Sequence, residues 1–184
     1  MEILVNYFTM FVKPEYDQYG NLCSKVYESS GDHFIVDMPP KKFINQSILH
    51  YGTSDLNGAI NASKGIFGNH RTLPIAICES LGIYCFSTHS VNNLDCAYIF
   101  PHHVKDIIEL KKRSSIVHFD SDLSVTVHVK KSFLDERTRW TSHLKDTIQI
   151  RKESERQFYS ITNKSKKFYE LLGEYVYHYR EKSY

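Results

Sequence analysis

An alternation of apolar and polar residues around position 125 constrains the fold of this chain most. Every second residue of one seven-residue stretch is apolar, namely Leu123, Val125, Val127 and Val129. Because side chains two residues apart lie on the same face of a strand, the stretch predicts a strand with one buried face and with His128 on the other. Residues 115–119 precede it across the turn sequence Asp120-Ser121-Asp122, and together they predict an antiparallel hairpin.

Other short apolar stretches, separated by glycine, proline, asparagine and aspartate, predict further strands. Their ranges are residues 3–12, which end before Pro14, and residues 22–28, 33–36, 83–86, 97–100 and 104–110. The strands from residue 83 onward predict an antiparallel meander. Apolar residues at helical spacing predict a helix over residues 41–49, and the small residues through Gly65 and Gly68 predict a loop.

The C-terminal part of the chain has the periodicity of helices. Ser132-Phe133-Leu134-Asp135 has the pattern of a capping box, in which a hydroxyl and a carboxylate satisfy exposed N–H groups at a helix start. Residues 151–156 form a charged break, and residues 163–180 predict a final helix. Its apolar side would comprise Phe168, Leu171, Leu172, Tyr175, Val176 and Tyr179. We expect Trp140 to share one buried cluster with the apolar face of the predicted hairpin.

These elements predict the fold class α+β, a mainly antiparallel β-sheet with a short central helix and C-terminal helices. Residues 1–150 would form one α+β domain. Residues 151–184 would be a helical segment that packs on that domain or is used in oligomerisation. Because the last helix has a broad apolar side, we predict a symmetric homo-oligomer.

Composition places the chain among folded globular proteins, with 41% hydrophobic and 24% charged residues. The four cysteines form no CxxC pair and no leader sequence precedes them, so we predict free thiols in a reducing cytoplasm. The apolar runs are too short to cross a bilayer, and no membrane association is expected.

Neither metal binding nor catalysis is predicted from the motifs. His102 and His103 would point to opposite faces of a strand and could not easily share an ion. The cysteines in or beside apolar runs are better explained as small hydrophobic residues than as activated nucleophiles. Neither a nucleophile elbow nor a phosphate-binding glycine loop occurs, so we predict a protein that is not an enzyme and needs no cofactor.

Basic residues give a more specific indication. Glu79 is the only glutamate from Lys41 to Lys105, so the middle of the chain has a positive bias that the net charge of +2 hides. Cations beside strands and turns can follow a phosphate backbone, although each could equally belong to an ordinary solvated surface. The residues predicted to contact DNA are Lys64, His70, Arg71, Lys111, Lys112 and Arg113.

Five segments, in order and at similar spacing, resemble the ComK family of competence transcription factors. They are Gly20-Asn21-Leu22-Cys23-Ser24-Lys25-Val26, the stretch from Asn45-Gln46-Ser47 to His50-Tyr51-Gly52-Thr53-Ser54, Asn69-His70-Arg71 with Pro74-Ile75, Tyr84-Cys85-Phe86-Ser87-Thr88-His89-Ser90, and Cys96-Ala97-Tyr98-Ile99. The resemblance implies an activator of competence genes that binds A/T-rich duplex DNA largely from the minor groove, as dimers on paired half-sites. A narrow, strongly negative A-tract groove would favour inserted Arg and Lys.

Three departures from the family pattern bear on that implication. Asn57-Gly58-Ala59-Ile60 stands where the family commonly has Gly-Arg-Lys, Ser87 replaces a proline, and Tyr98 replaces a tryptophan. They suggest weakened or altered DNA affinity. Gln157-Phe158-Tyr159 partly resembles a segment through which an adaptor delivers some relatives to a protease. One alternative is an interaction module that has lost DNA binding and acts through a partner protein; the other is an enzyme with an unfamiliar site.

Overall fold

The structure, a computed structural model, describes the backbone of residues 3–52, 54–111 and 113–181, and side chains as far as residue 162. The chain divides into two units, residues 1–145 and 146–184, which are described separately. Its architecture confirms the predicted α+β class, because the described residues form three α-helices and mainly antiparallel strands. The elements are β1 (Thr9–Tyr16), β2 (Leu22–Glu28), β3 (His33–Val36), α1 (Pro40–Tyr51), α2 (Leu56–Phe67), β4 (Pro74–Cys78), β5 (Ile83–Ser87), β6 (Tyr98–Ile99), a 3-10 turn (Pro101–His103), β7 (Val104–Glu109), β8 (Ser115–Phe119), β9 (Ser124–Val127) and α3 (Lys131–Glu181).

The strands form two antiparallel sheets instead of one meander. The first has the order β3-β2-β1-β6-β5-β4, and the second has the order β7-β8-β9. The N-terminal strand β1 therefore lies in the middle of the first sheet, where Phe11 pairs with Ile99 and Val12 with Tyr98. Strand β4, which the sequence analysis did not predict, forms one edge and pairs with β5.

The two faces of the six-stranded sheet bury different partners. On one face, α1 and α2 pack with Phe43, Ile44 and Leu56 against sheet residues such as Ile75 and Val12. On the opposite face, the three-stranded sheet and the start of α3 pack against the first sheet. This second cluster contains Phe11, Phe86, Ile99, Val117, Phe119, Val127 and Leu134. Unit 1 is thus a central sheet with a helical layer on one side and a second sheet on the other.

Strand β1 differs from the prediction at both ends. It begins at Thr9 and continues past Pro14 to Tyr16, with Pro14 opposite Ser24. Proline is tolerated there because β6 pairs only with Phe11 and Val12, so at Pro14 one side of β1 has no described strand beside it and a missing N–H costs little.

The predicted small-residue loop is wrong, because most of it forms helix α2. Its N-terminus is capped by Asp55, whose carboxylate accepts a hydrogen bond from the Gly58 backbone N–H at 2.7 Å. The buried residues are Leu56, Ala59 and Ser63, with Ile60 packed beside them. Glycine lowers helix propensity by about 1 kcal/mol, but the cap and this buried stripe outweigh that cost.

The hairpin β8–β9 and the neighbouring β7 confirm the prediction made from alternation. Val127 is buried, Val125 and Val129 pack partly against the same cluster, and His128 is exposed. Trp140 does not join this cluster, contrary to our expectation. The residues of α3 that reach it are Leu134 and Phe133, whereas Trp140, two turns further on, packs against α2.

Helix α3 begins two residues earlier than the capping-box prediction requires. Lys131 is the first helical residue and the Lys130 carbonyl accepts the first helical bonds, so Ser132 lies within the first turn. The predicted break at residues 151–156 is also wrong, since the helix is continuous to Glu181. Arg, Lys, Glu and Gln are good helix formers, and no glycine or proline interrupts them. The predicted apolar side from Phe168 onward lies outside the residues whose side chains are described.

Candidate nucleic-acid interface

Three of the predicted DNA contacts lie close together in the chain, between the end of α2 and the start of β4. Lys64 is in the last turn of α2, where a cation is also favoured by the helix dipole, and its Nζ lies 3.3 Å from Asn61 Oδ1. Gly68 ends the helix with φ +80°, and its N–H bonds to the Lys64 carbonyl at 2.9 Å. His70 and Arg71 follow, and all three basic side chains are exposed.

The loop of residues 68–73, called the 68–73 loop below, is anchored at both ends. Thr72 and Leu73 are buried immediately before β4. Ser63 Oγ, inside α2, donates a hydrogen bond to the Pro74 carbonyl at 2.6 Å and fixes the helix to the strand. Between these anchors Arg71 extends into solvent, so the loop presents a cation on a constrained backbone.

A group of rings and one guanidinium lies against this loop. The Phe67 and Trp140 rings are stacked, with centroids 5.0 Å apart and planes at 9°. The His70 ring contacts Trp140 edge to face at 4.8 Å, and the Arg137 guanidinium lies 3.9 Å from the Trp140 centroid. Sequence spacing alone gives no sign of this arrangement. His70 was predicted as a DNA contact, but its ring is partly engaged within the protein.

Arg137 is unusual among the described cations because it is buried. Its side chain is 9% exposed, and its Nη2 atom forms an ion pair with Glu136 at 3.4 Å. Its Nε and Nη1 atoms are also buried, and neither has a hydrogen-bond partner among the described residues. Burial lowers the pKa of the guanidinium from its ordinary value, and the Glu136 carboxylate partly opposes that change.

The other predicted contacts lie in the turn between β7 and β8. Lys111 and Arg113 are exposed there, and Lys112 lies outside the described residues. The turn is closed by the Leu110 N–H, which donates to the Ser114 carbonyl at 2.8 Å. Arg113 has φ +61°, a left-handed conformation that costs a residue with a Cβ about 1 kcal/mol. This turn belongs to the second sheet, whereas the 68–73 loop adjoins the helical layer, so the predicted residues that the structure describes form two separate groups.

A groove with a mixed polar and apolar lining, which the sequence did not predict, lies between the two sheets. It has a volume of about 490 Å³ and is lined by Lys13, His89 and His128, among others. Thr88 orders the β5–β6 connection, because its Oγ1 accepts a hydrogen bond from the Ala97 N–H at 3.0 Å. Lys41 Nζ donates to Asn92 Oδ1 of the same connection at 2.7 Å. The connection between β5 and β6 is therefore held in place by these two hydrogen bonds.

The cysteines and histidines have structural surroundings. Burial raises the pKa of the Cys96 thiol and raises that of Cys85 well above its ordinary value, which disfavours the nucleophilic thiolate. The prediction that His102 and His103 point to opposite faces of a strand is wrong. Both lie in the 3-10 turn, and both Nε2–H groups donate to the Tyr7 carbonyl, at 2.9 and 2.8 Å. In the described part of the chain, no group of three or more His, Cys, Asp or Glu is placed to hold a metal ion.

Comparison with known proteins gives one match. A family model described as ComK protein matches residues 1–153. No curated protein matches the chain, and no solved structure matches it. Among the described residues, no helix is both long enough and apolar enough to span a membrane.

Proposed function

The chain belongs to the ComK family of competence transcription factors, and from this we propose that it regulates competence genes in the cytoplasm by binding A/T-rich duplex DNA. We propose that contact is made mainly through the minor groove and the phosphate backbone. The observation that carries the proposal is the family match over residues 1–153, which includes all six predicted contact residues. The family is one of transcription factors and not of enzymes.

The exposed cations support this mode of binding. Lys64 lies in the last turn of α2 and Arg71 in the 68–73 loop that follows, and cations in such positions neutralise phosphates. A-tracts have a narrow minor groove with an enhanced negative potential, which attracts an inserted Arg or Lys. Arg71 is our candidate for insertion because it extends from an anchored loop, and Lys111, Lys112 and Arg113 would add backbone contacts.

The departures from the family pattern fall mainly on buried positions. Ala59 is buried and Ile60 packs on the core, so that part of α2 faces inward. Ser87 and Tyr98 are 1% and 0% exposed. These residues therefore change the packing of the core more than the exposed surface. On this proposal the affinity depends on Lys64 and Arg71, and the missing cations lower it without abolishing it.

The alternative is an interaction module without DNA binding. What favours it is the absence of the family cations near Gly58, together with exposed apolar side chains on unit 2. Phe158 and Tyr159 are each 66% exposed on helix α3. Exposed aromatic side chains are suited to protein partners, and an adaptor that delivers the chain to a protease could recognise them.

Gel-shift experiments on A/T-rich and G/C-rich duplexes, each at two salt concentrations, test the proposed function. We expect tighter binding to the A/T-rich duplex and affinity that falls as salt rises, because counterions are released on binding. The absence of duplex binding at the lower salt concentration would favour the interaction module.

We also propose a symmetric homodimer that involves the segment after Asn163. Light scattering across the micromolar range, with and without that segment, tests this proposal. The full chain should scatter as a dimer, and the shortened chain should scatter as a monomer. A monomer in both cases would contradict the proposal.

A further inference from the structure

The burial of Arg137 is not explained by its contribution to stability. A buried guanidinium with unpaired N–H groups is costly, and replacing such a charge by an apolar side chain is often neutral or stabilising. The neighbouring Thr138 Oγ1 is likewise buried without a hydrogen-bond partner among the described residues. Since stability alone does not account for Arg137, its position against Trp140 points to another role.

The stack around Trp140 links α3 to α2. Phe67, the last residue of α2, stacks on the indole, and Arg137 also lies against it at 3.9 Å, with Phe133 5.1 Å from the guanidinium. The His143 ring contacts Phe67 edge to face at 5.6 Å. We call Phe67, Trp140 and Arg137 the indole stack. Ring stacking and cation–π contacts are attractive and fix orientation as well as distance.

The indole stack adjoins the 68–73 loop directly. Phe67 immediately precedes Gly68, where the backbone turns with φ +80°. Two residues later the His70 ring packs edge to face on Trp140. The backbone on both sides of Gly68 is therefore held against the same indole, which leaves Arg71 to extend from a loop whose position depends on Trp140.

We propose that the indole stack positions the 68–73 loop for DNA binding, so that affinity depends on Trp140 and Arg137 although neither touches DNA. This inference rests on the proposed function. In it His70 is a positioning residue that docks on Trp140, and Arg71 is the residue that contacts DNA. The stack costs stability at Arg137 and in return limits the orientations that Arg71 can adopt before binding.

Four variants of the full chain test the inference. Trp140→Leu removes the stack, Trp140→Phe keeps a ring, and Arg137→Met replaces the buried charge by an apolar side chain of similar length. Arg139→Ala is the matched control, because it removes an exposed cation from the same turn of α3. Each is compared with the wild type by thermal unfolding, by amide hydrogen exchange in residues 68–73, and by fluorescence anisotropy with a labelled A/T-rich duplex.

We expect Trp140→Leu to raise hydrogen exchange in the loop and to weaken DNA binding by about tenfold, which is within the range for residues that act on a site without touching its ligand. Trp140→Phe keeps a ring and should therefore have smaller effects than Trp140→Leu on both loop hydrogen exchange and DNA affinity. Arg137→Met should raise loop exchange and weaken binding while thermal stability stays the same or increases. A variant that lost affinity only through partial unfolding would not combine weaker binding with unchanged stability. Arg139→Ala should leave loop exchange as in the wild type.

Failure of the inference differs from failure of the proposed function. Unchanged loop exchange in both Trp140→Leu and Arg137→Met would overturn the positioning role, whatever the DNA result. Raised exchange with wild-type affinity would overturn the link to binding. Trp140 is the only tryptophan in the chain, so its emission reports the stack without a label. The absence of duplex binding by the wild type would overturn the proposed function itself.

Discussion

The two turns that carry the candidate DNA contacts are built in opposite ways. The 68–73 loop begins with a glycine at φ +80°, and its His70 ring packs on Trp140 of helix α3, a ring that is partly buried. The β7–β8 turn has Arg113 at φ +61° and is closed by the Leu110 N–H, which donates to the Ser114 carbonyl, while Ser114 Oγ lies 3.2 Å from Nδ1 of His128 beyond β9. A constrained loop suits the reading of groove shape, and a hairpin tip suits charge neutralisation.

Exposure and charge do not distinguish the two turns. Arg71 and Arg113 are both exposed arginines near the end of a strand. They differ in their surroundings: partly buried aromatic rings adjoin the loop of Arg71, and a short hydrogen-bonded turn holds Arg113. The cost of ordering a side chain on binding is lower where the backbone is already held.

The largest predicted effect comes from disrupting the three-stranded sheet that carries the β7–β8 turn, which would leave only one of the two turns to compare. Val127→Asp places an unpaired carboxylate in the cluster between the two sheets. We expect a loss of about 3–5 kcal/mol in the free energy of unfolding, enough to unfold the domain. Thr126→Asp, at the exposed neighbouring position, is the control and should cost less than about 1 kcal/mol. Thermal unfolding followed by circular dichroism measures both. A soluble Val127→Asp protein with the wild-type melting curve would contradict this placement.

A second prediction sharpens the comparison in DNA binding. Arg71→Ala should weaken binding and lower the slope of log affinity against log salt by about 1 per protomer. If Arg71 enters a narrowed minor groove, the loss should be greater on A-tracts than on mixed sequence. Arg113→Ala should lower the slope similarly but equally on both duplexes. Anisotropy titrations at several salt concentrations measure these slopes. Arg71→Ala with wild-type affinity and slope would remove Arg71 from the interface and direct attention to the β7–β8 turn.

The third prediction concerns the smallest changes in the free energy of unfolding, and their sign differs between the two turns. Gly68→Ala should lower the free energy of unfolding by about 1 kcal/mol, because its φ is unfavourable for a residue with a Cβ. No atom would lie within 4 Å of the added Cβ, so the effect isolates the backbone. Arg113→Gly should be neutral or should raise stability by a few tenths to about 1 kcal/mol, since glycine adopts a positive φ without the steric cost that a Cβ adds. Chemical denaturation resolves both; equal destabilisation by the two changes would refute the contrast.

Local patterns predicted the strands whose pairing partners are near in sequence. The bounds of β2 and β3 match the predicted ranges, because turn residues lie at their ends. Helix α2 was missed although Leu56, Ala59, Ile60 and Ser63 have helical spacing. Two interior glycines, which are poor helix formers, concealed this pattern. The Asp55 cap, which favours a helix start, offsets their effect.

The candidate site was predictable only in part, for a related reason. Arg71 was expected to be exposed, and it is, but the different surroundings of His70 could not be inferred. The ring that packs on His70 belongs to Trp140, whose position depends on how α3 crosses α2. The same is true of β1, whose central place is determined by β6 from the other half of the domain. Contacts between residues distant in sequence leave no periodic signal along the chain.

The pairing of β1 with β6 also affects how the chain folds. Phe11 cannot meet Ile99 until a loop of about 90 residues has closed, and this entropy is lost before the contact contributes to stability. During synthesis, β1 would be paired on one side by β2 and open on the other until residue 99 leaves the ribosome. An open strand edge of this kind promotes aggregation, so we expect the growing chain to be most dependent on chaperones in that interval.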